Sequence, residues 1–153
     1  MRWPAAESVV LLKNEDDLLP FKPGQSVALI GDFAQTPRYQ GAGSSSVNAT
    51  RVDNLKAAAE ADDITLAGFC AGYERSGTPN PAFVEEAAAL ARKADVVVLC
   101  MGLDESSESE GLDRSHICIP ENQKQLLEAV AQANENLVVV LSAGSVVETG
   151  WVS

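Results

Sequence analysis

Five carboxylates crowd one short stretch of the chain. Asp104, Glu105, Glu108, Glu110 and Asp113 are followed at once by Arg114 and His116, all within residues 104–120, DESSESEGLDRSHICIP. Glu105, Glu108 and Glu110 suit general acid/base work. Carboxylates that crowd one another or become buried hold their protons more tightly, and a member so affected titrates nearer neutral pH. On this reading the stretch carries raised carboxyl pKa values. Arg114, four residues beyond Glu110, is placed to hold a carboxylate or to orient a polar ligand. The plain alternative is a solvated acidic loop whose charges merely oppose one another.

Other chemistries are poorly supplied. His116 is the sole histidine, so a histidine-based metal site is excluded and a Ser–His–Asp hydrolase is disfavoured. No G-x-S-x-G follows a strand-like run. Cys70, Cys100 and Cys118 lack metal-type spacing, and an odd count opposes a disulfide framework. Neither metal nor cofactor is expected. The segment Gly41-Ala42-Gly43-Ser44-Ser45-Ser46 follows its strand too late, and in the wrong pattern, for G-x-G-x-x-G. Without Gly-Lys-Ser/Thr a P-loop is excluded as well. That leaves a flexible surface loop or a backbone wall for a polar ligand, since glycine permits close approach. With 22 acidic and 11 basic residues the net charge is -11, which opposes nucleic acid and anionic membrane surfaces as partners. No apolar run approaches the roughly 20 residues of a membrane-spanning helix, and residues 1–7 lack the apolar centre of a signal peptide.

Four apolar runs must position these groups: 26–31 (SVALIG), 64–69 (ITLAGF), 95–102 (DVVVLCMG) and 137–142 (LVVVLS). Each is apolar on both faces, as a buried parallel strand requires. Between them, 52–61, 81–94 and 121–133 carry apolar residues at helical spacing, with Asn80 as N-cap and Pro81 at the first helical position of the second. Residues 5–14 are compatible with helix or extended chain, and 18–24 form a proline-punctuated connection. Alternating strands and helices predict an α/β fold, a mainly parallel open sheet with helices on both faces in a three-layer α/β/α sandwich. Right-handed crossovers then gather the loops 32–50, 70–80, 103–120 and 143–147 on one edge, where ligands bind in such sheets.

The segment Glu108-Ser109-Glu110-Gly111-Leu112-Asp113-Arg114, followed by Ile119-Pro120 and Gln123, resembles the E-x-E-G-x-D-R … L-P-x-x-Q pattern of glycoside hydrolase family 3. The match is to that family's second, C-terminal α/β-sandwich domain. Val10 to Asn14 with Leu19-Pro20, Ala28 to Gly31, Gly41 to Ser45 with Val47, and Val138 to Gly144 with Val147 and Trp151 resemble other parts in the same order. Val146 departs from an expected proline. The resemblance implies a retaining β-glycosidase of β-glucosidase or β-xylosidase type. Its nucleophile is an Asp on a preceding (β/α)8 barrel, and its substrate is a β-linked oligosaccharide or glycoside. By position it makes Glu110 the general acid/base, with Glu108 as runner-up, and Asp113, Arg114, Gly43, Ser44 and Ser45 shaping or lining the sugar site. It also implies a piece of a longer enzyme. Residues 1–24 lead in from the barrel, 25–153 form part of the sandwich, further sheet elements follow, and the piece by itself is inactive. A family variant that places a His/Asp acid/base on the barrel is opposed by the intact E-G-x-D-R pattern. The rival from another class is a non-catalytic, Rossmann-like ligand-binding or regulatory module.

Overall fold

The computed structural model describes residues 6–62 and 64–152. The start of the helix-compatible opening, at Ala5, lies outside them. Four strands, β1 (Ser26–Ile30), β2 (Thr65–Cys70), β3 (Val96–Gly102) and β4 (Leu137–Ser142), form one sheet in the order β2-β1-β3-β4, and every pairing is parallel. The connecting helices are α1 (Leu55–Ala61), α2 (Pro81–Ala91) and α3 (Glu121–Ala133). Between β1 and β3 the chain changes direction across the sheet, so right-handed crossovers send α1 to one face and α2 and α3 to the other.

Packing follows that division. Val97, Leu99 and Met101 of β3 join Ala28 and Ile30 beneath Ala87 and Ala91 of α2 and Leu126, Leu127 and Val130 of α3. Val98 and Cys100 face the other way, with Val27, Leu29, Phe33 and Phe69. Lys56 of α1 lies 5.6 Å from the centre of the Phe69 ring on that second face. All seven residues of β3 are buried, which explains why its sequence never alternates. Cys70 and Cys100 are buried small hydrophobes, as expected, and burial pushes their thiols up to about 11 and about 12.

β4 and α3 occupy the residues their patterns predicted; two helix ends differ. α1 starts at Leu55 rather than residue 52 because Asn54 caps it, its Oδ1 accepting the Ala57 N–H at 2.7 Å. Val52 and Leu55 are therefore exposed instead of inward. α2 stops at Ala91 and leaves in tight turns, Lys93 N–H to Leu90 O and Ala94 N–H to Ala91 O. Asn80 does precede α2, yet its side chain caps nothing and donates to Glu74 instead. Residues 9–14 carry no helix, and Val9 to Leu12 are exposed.

One contact fixes where the acidic loop begins. β1 ends at Ile30, paired with Leu99, so the last residues of β3 outrun their neighbour on that side. Gln123 of α3, 3% exposed, stands in for the absent strand. Its Oε1 accepts the Gly102 N–H at 2.8 Å and its Nε2 donates to the Gly102 carbonyl at 2.9 Å. Gln123→Leu keeps the volume but strands two buried backbone groups, so it should cost about 2–4 kcal/mol in urea unfolding. A variant as stable as the parent would show that water serves Gly102 equally well.

Candidate functional site

Beyond Gly102 the acidic loop meets the loop that follows β1. Ala42 and Ser109 form an isolated parallel bridge. The Glu110 N–H donates to Ala42 O at 3.0 Å, and the Ser44 N–H donates to Glu110 Oε2 at 2.6 Å. Gly43 lies between these contacts at φ +111°, and a Cβ there would stand 2.5 Å from Glu110 Cβ and 2.7 Å from its Oε2. Its missing side chain is thus explained by close approach to Glu110. Gln40 closes the neck of the same loop by bonding both backbone groups of Val47.

Glu108, two residues earlier, is placed very differently. Its carboxylate pairs with the Arg38 guanidinium, and the two side chains are only 8% and 9% exposed. Arg38 Nη1 also donates to Leu103 O at 3.0 Å and Nη2 to Glu108 O at 3.2 Å. From the turn after β4 come the Gly144 N–H at 2.9 Å and the Ser145 hydroxyl. Arg114 reaches the same turn, donating to Ser145 Oγ at 2.9 Å and Val146 O at 2.7 Å, and folds back to Cys118 O at 3.1 Å. It braces the loop. Asp113 is exposed and makes no hydrogen bond or ion pair among the described residues. Ser45 is exposed as well, and Ser44 acts on Glu110 through its side chain and its backbone N–H. Glu105 pairs with Arg75 at 3.4 Å, and Arg75 in turn holds Asp32 and lies 4.6 Å from the Phe33 ring centre.

Raised pKa values, expected from crowding, are not found. Burial pushes Glu108 up, but Ser145, Gly144 and the Arg38 charge outweigh it and the net shift is downward. Burial likewise opposes Asp104, which the hydroxyls and backbone of Ser107 and Ser106 nevertheless hold below the ordinary range. Hydrogen bonding from Ser44 lowers Glu110, which is exposed. Asp104, Glu108 and Glu110 each have separate donors instead of facing another carboxylate. In this state Glu110 is an ionised acceptor with its outer side open.

Arg38 was not among the residues singled out from the sequence. The one signal for it is its isolation, as the only cation between Lys22 and Arg51, three residues before the glycine segment. Nothing near Gly144 and Ser145 in the sequence marks them as ligands of a carboxylate thirty-six residues away.

The loops therefore define a class: a parallel α/β sandwich domain that presents an exposed carboxylate, Glu110, at the C-terminal rim of its sheet, against a glycine-serine segment. The profile of the glycosyl hydrolase family 3 C-terminal domain matches residues 9–153, and the chain belongs to that family. It is 47% identical over 156 residues to thermostable beta-glucosidase B of Acetivibrio thermocellus, covering 99% of this chain and 20% of that protein. It is 46% identical over 154 residues to an exo-alpha-(1->6)-L-arabinopyranosidase of Bifidobacterium longum, covering 94% of this chain and again 20% of the relative. A solved GH3 beta-glucosidase from Bifidobacterium adolescentis superposes with a TM-score of 0.84 at 45% identity, over 90% of this chain and 20% of that one. The chain thus spans about a fifth of the length of these relatives.

The lowered pKa of Glu108 has a consequence for stability. A carboxyl whose folded pKa lies below its unfolded value contributes stability above the unfolded pKa, about 4.3 for glutamate, and loses it as pH falls through the folded one. The urea midpoint should therefore drop between about pH 5 and pH 3, and Glu108→Gln should flatten that drop while lowering the neutral-pH plateau. An equally steep acid limb in the variant would assign the loss to other carboxylates.

Proposed function

We propose that this domain supplies the general acid/base of a retaining β-glycosidase acting on terminal non-reducing β-D-glycosides, of β-glucosidase type, and that Glu110 is that group. The observation that carries the reading is the contrast between the two candidates. Glu108 has its oxygens occupied by Arg38, Gly144 and Ser145. Glu110 keeps an open side at the rim. Arg114 and Glu108 shape the loop, while Asp113 and the segment Gly43, Ser44 and Ser45 border the sugar. Residues 1–24 lead in from a (β/α)8 barrel that carries the nucleophilic Asp, and 25–153 belong to the sandwich.

Chemistry requires the second carboxylate. In a retaining glycosidase the two carboxyl groups stand about 5 Å apart, one ionised to attack the anomeric carbon and the other protonated to help the leaving group depart. Ser44 favours the ionised form of Glu110, so its proton affinity must be raised from outside the domain. A barrel carboxylate brought close, together with the exclusion of water by bound sugar, does this. The relatives at 47% and 46% identity bear the names of different glycosidases. A domain shared so evenly fits a supplier of proton transfer, with sugar choice made by the barrel.

In the polypeptide that joins this domain to its barrel, Glu110→Ala should slow aryl glycosides with poor leaving groups by roughly 10²–10⁴-fold and those with good leaving groups far less. Azide, which attacks the glycosyl intermediate without a base, should speed turnover of substrates with good leaving groups, whose glycosylation needs no acid, and should not rescue those with poor ones. Unchanged kinetics would move the role away from Glu110. The 153 residues assayed by themselves with an aryl β-glucoside should show no turnover; clear hydrolysis would mean that the nucleophile lies within this chain.

A further inference from the structure

We propose that Arg38 is the positioning residue for Glu110, setting the carboxylate at the rim by locking the three loops around Glu108 into one arrangement. The proposal rests on the acid/base reading of Glu110 but is drawn from a different set of contacts.

Arg38 stands on the loop after β1, three residues before the glycine segment. Its fork reaches the start of the acidic loop at Leu103 O, the middle at Glu108 O, and the Glu108 carboxylate itself. That carboxylate spends its remaining acceptor capacity on the turn after β4, through Gly144 and Ser145. Two residues on, Glu110 takes its place by the Ala42 and Ser44 contacts, and these belong to the same loop as Arg38. Arg38 therefore fixes the separation between the two chain segments whose juxtaposition holds Glu110. Arg75 also links the two, from Asp32 and Thr36 to Glu105 near the start of each loop, but close to Glu110 other contacts are few. The Ala42–Ser109 bridge is isolated, and residues 43–50 are exposed.

Arginine is required by the geometry. A planar guanidinium serves three acceptors in fixed directions, whereas lysine offers a point charge on a flexible stem. With Arg38 gone, Glu108 is left buried without its counter-charge, and it must either take a proton or draw water into the junction. Both outcomes let the acidic loop move relative to the glycine segment. A displacement near 1 Å at a proton donor costs about 10²-fold in rate.

The test reads geometry first. In the 153-residue chain, the amide signal of Ser44 in a ¹⁵N-correlated NMR spectrum should follow the titration of the Glu110 carboxyl, and Glu110→Gln should abolish that pH-dependent shift. Arg38→Met should abolish it too, with the fold retained, and Arg38→Lys should leave an attenuated shift. If Arg38→Met does not fold, Arg38→Lys decides alone. A shift of native size in folded variants, or no shift in the parent, overturns the proposal.

In the polypeptide joined to its barrel, Arg38→Met should lower kcat by roughly 10–100-fold with KM changed less than about twofold, and most for poor leaving groups. A full kcat in that variant, where Glu110→Ala is damaging, overturns the proposal as well. If Glu110→Ala is harmless, the acid/base reading falls, while the Ser44 signal still decides whether Arg38 positions the loop.

Discussion

One buried ion pair holds the rim of this domain together. Arg38 and Glu108 are almost wholly removed from water where the loops after β1, β3 and β4 converge. Taking both charges out of solvent is costly, and their attraction repays it only when the remaining donors and acceptors are also satisfied. Here Leu103 O, Glu108 O, Gly144 N–H and the Ser145 hydroxyl satisfy them. Such a pair contributes little net stability over an apolar substitute. What it contributes is a junction in which the three loops satisfy these buried groups together.

Much of the fold could be read from residue order. Strands buried on both faces must be apolar, and β3 and β1 beyond Ser26 are both buried and apolar. The pattern predicts the same burial for β4, but it stands at the sheet edge, half-buried, with Val140 exposed. Their alternation with helices left one architecture open. Helix ends were harder, because they depend on single side chains. Asn54 starts α1 three residues late by capping it, and Asn134 closes α3 by donating to the carbonyls of Ala91 and Ala94 at the end of α2. The identity of the rim carboxylates was legible, but their proton affinities were not. Crowding along the chain suggested mutual repulsion, whereas each group meets donors that are not its sequence neighbours in two of three cases: Ser44 for Glu110, and Arg38, Gly144 and Ser145 for Glu108. Only Asp104 is served locally, by Ser106 and Ser107.

The depressed pKa of Glu110 is informative about how the work is divided. On the proposed reading, the proton donor sits on an exposed loop, bonded by Ser44, and rests ionised near neutral pH in this domain. Each pKa unit it must rise corresponds to about 1.36 kcal/mol of differential interaction between its two protonation states. If Glu110 is the acid/base proposed above, burial beneath a sugar and a facing carboxylate would provide that interaction only when the whole site is assembled. Its protonation would then be coupled to assembly, with the lone domain holding an acceptor where the joined enzyme holds an acid.

The two edges of the sheet are secured by different means. At the edge where the strands begin, Asp95 accepts from both the backbone N–H and the hydroxyl of Ser26, at 2.7 and 2.8 Å, and Asn136 donates to the Asp95 carbonyl at 3.0 Å. Those contacts join residues at the strand starts themselves, so they inherit the rigidity of the ladders. At the opposite edge the strands have ended, and loops are joined through side chains whose backbones have no ladder of their own. Segments with exposed backbone and few buried apolar contacts open most easily. On the proposed reading, the proton-transferring group belongs there because it must accept a ligand and a second domain, yet it tolerates little displacement. An arginine that touches several segments at once reconciles these demands, holding the geometry without closing the rim.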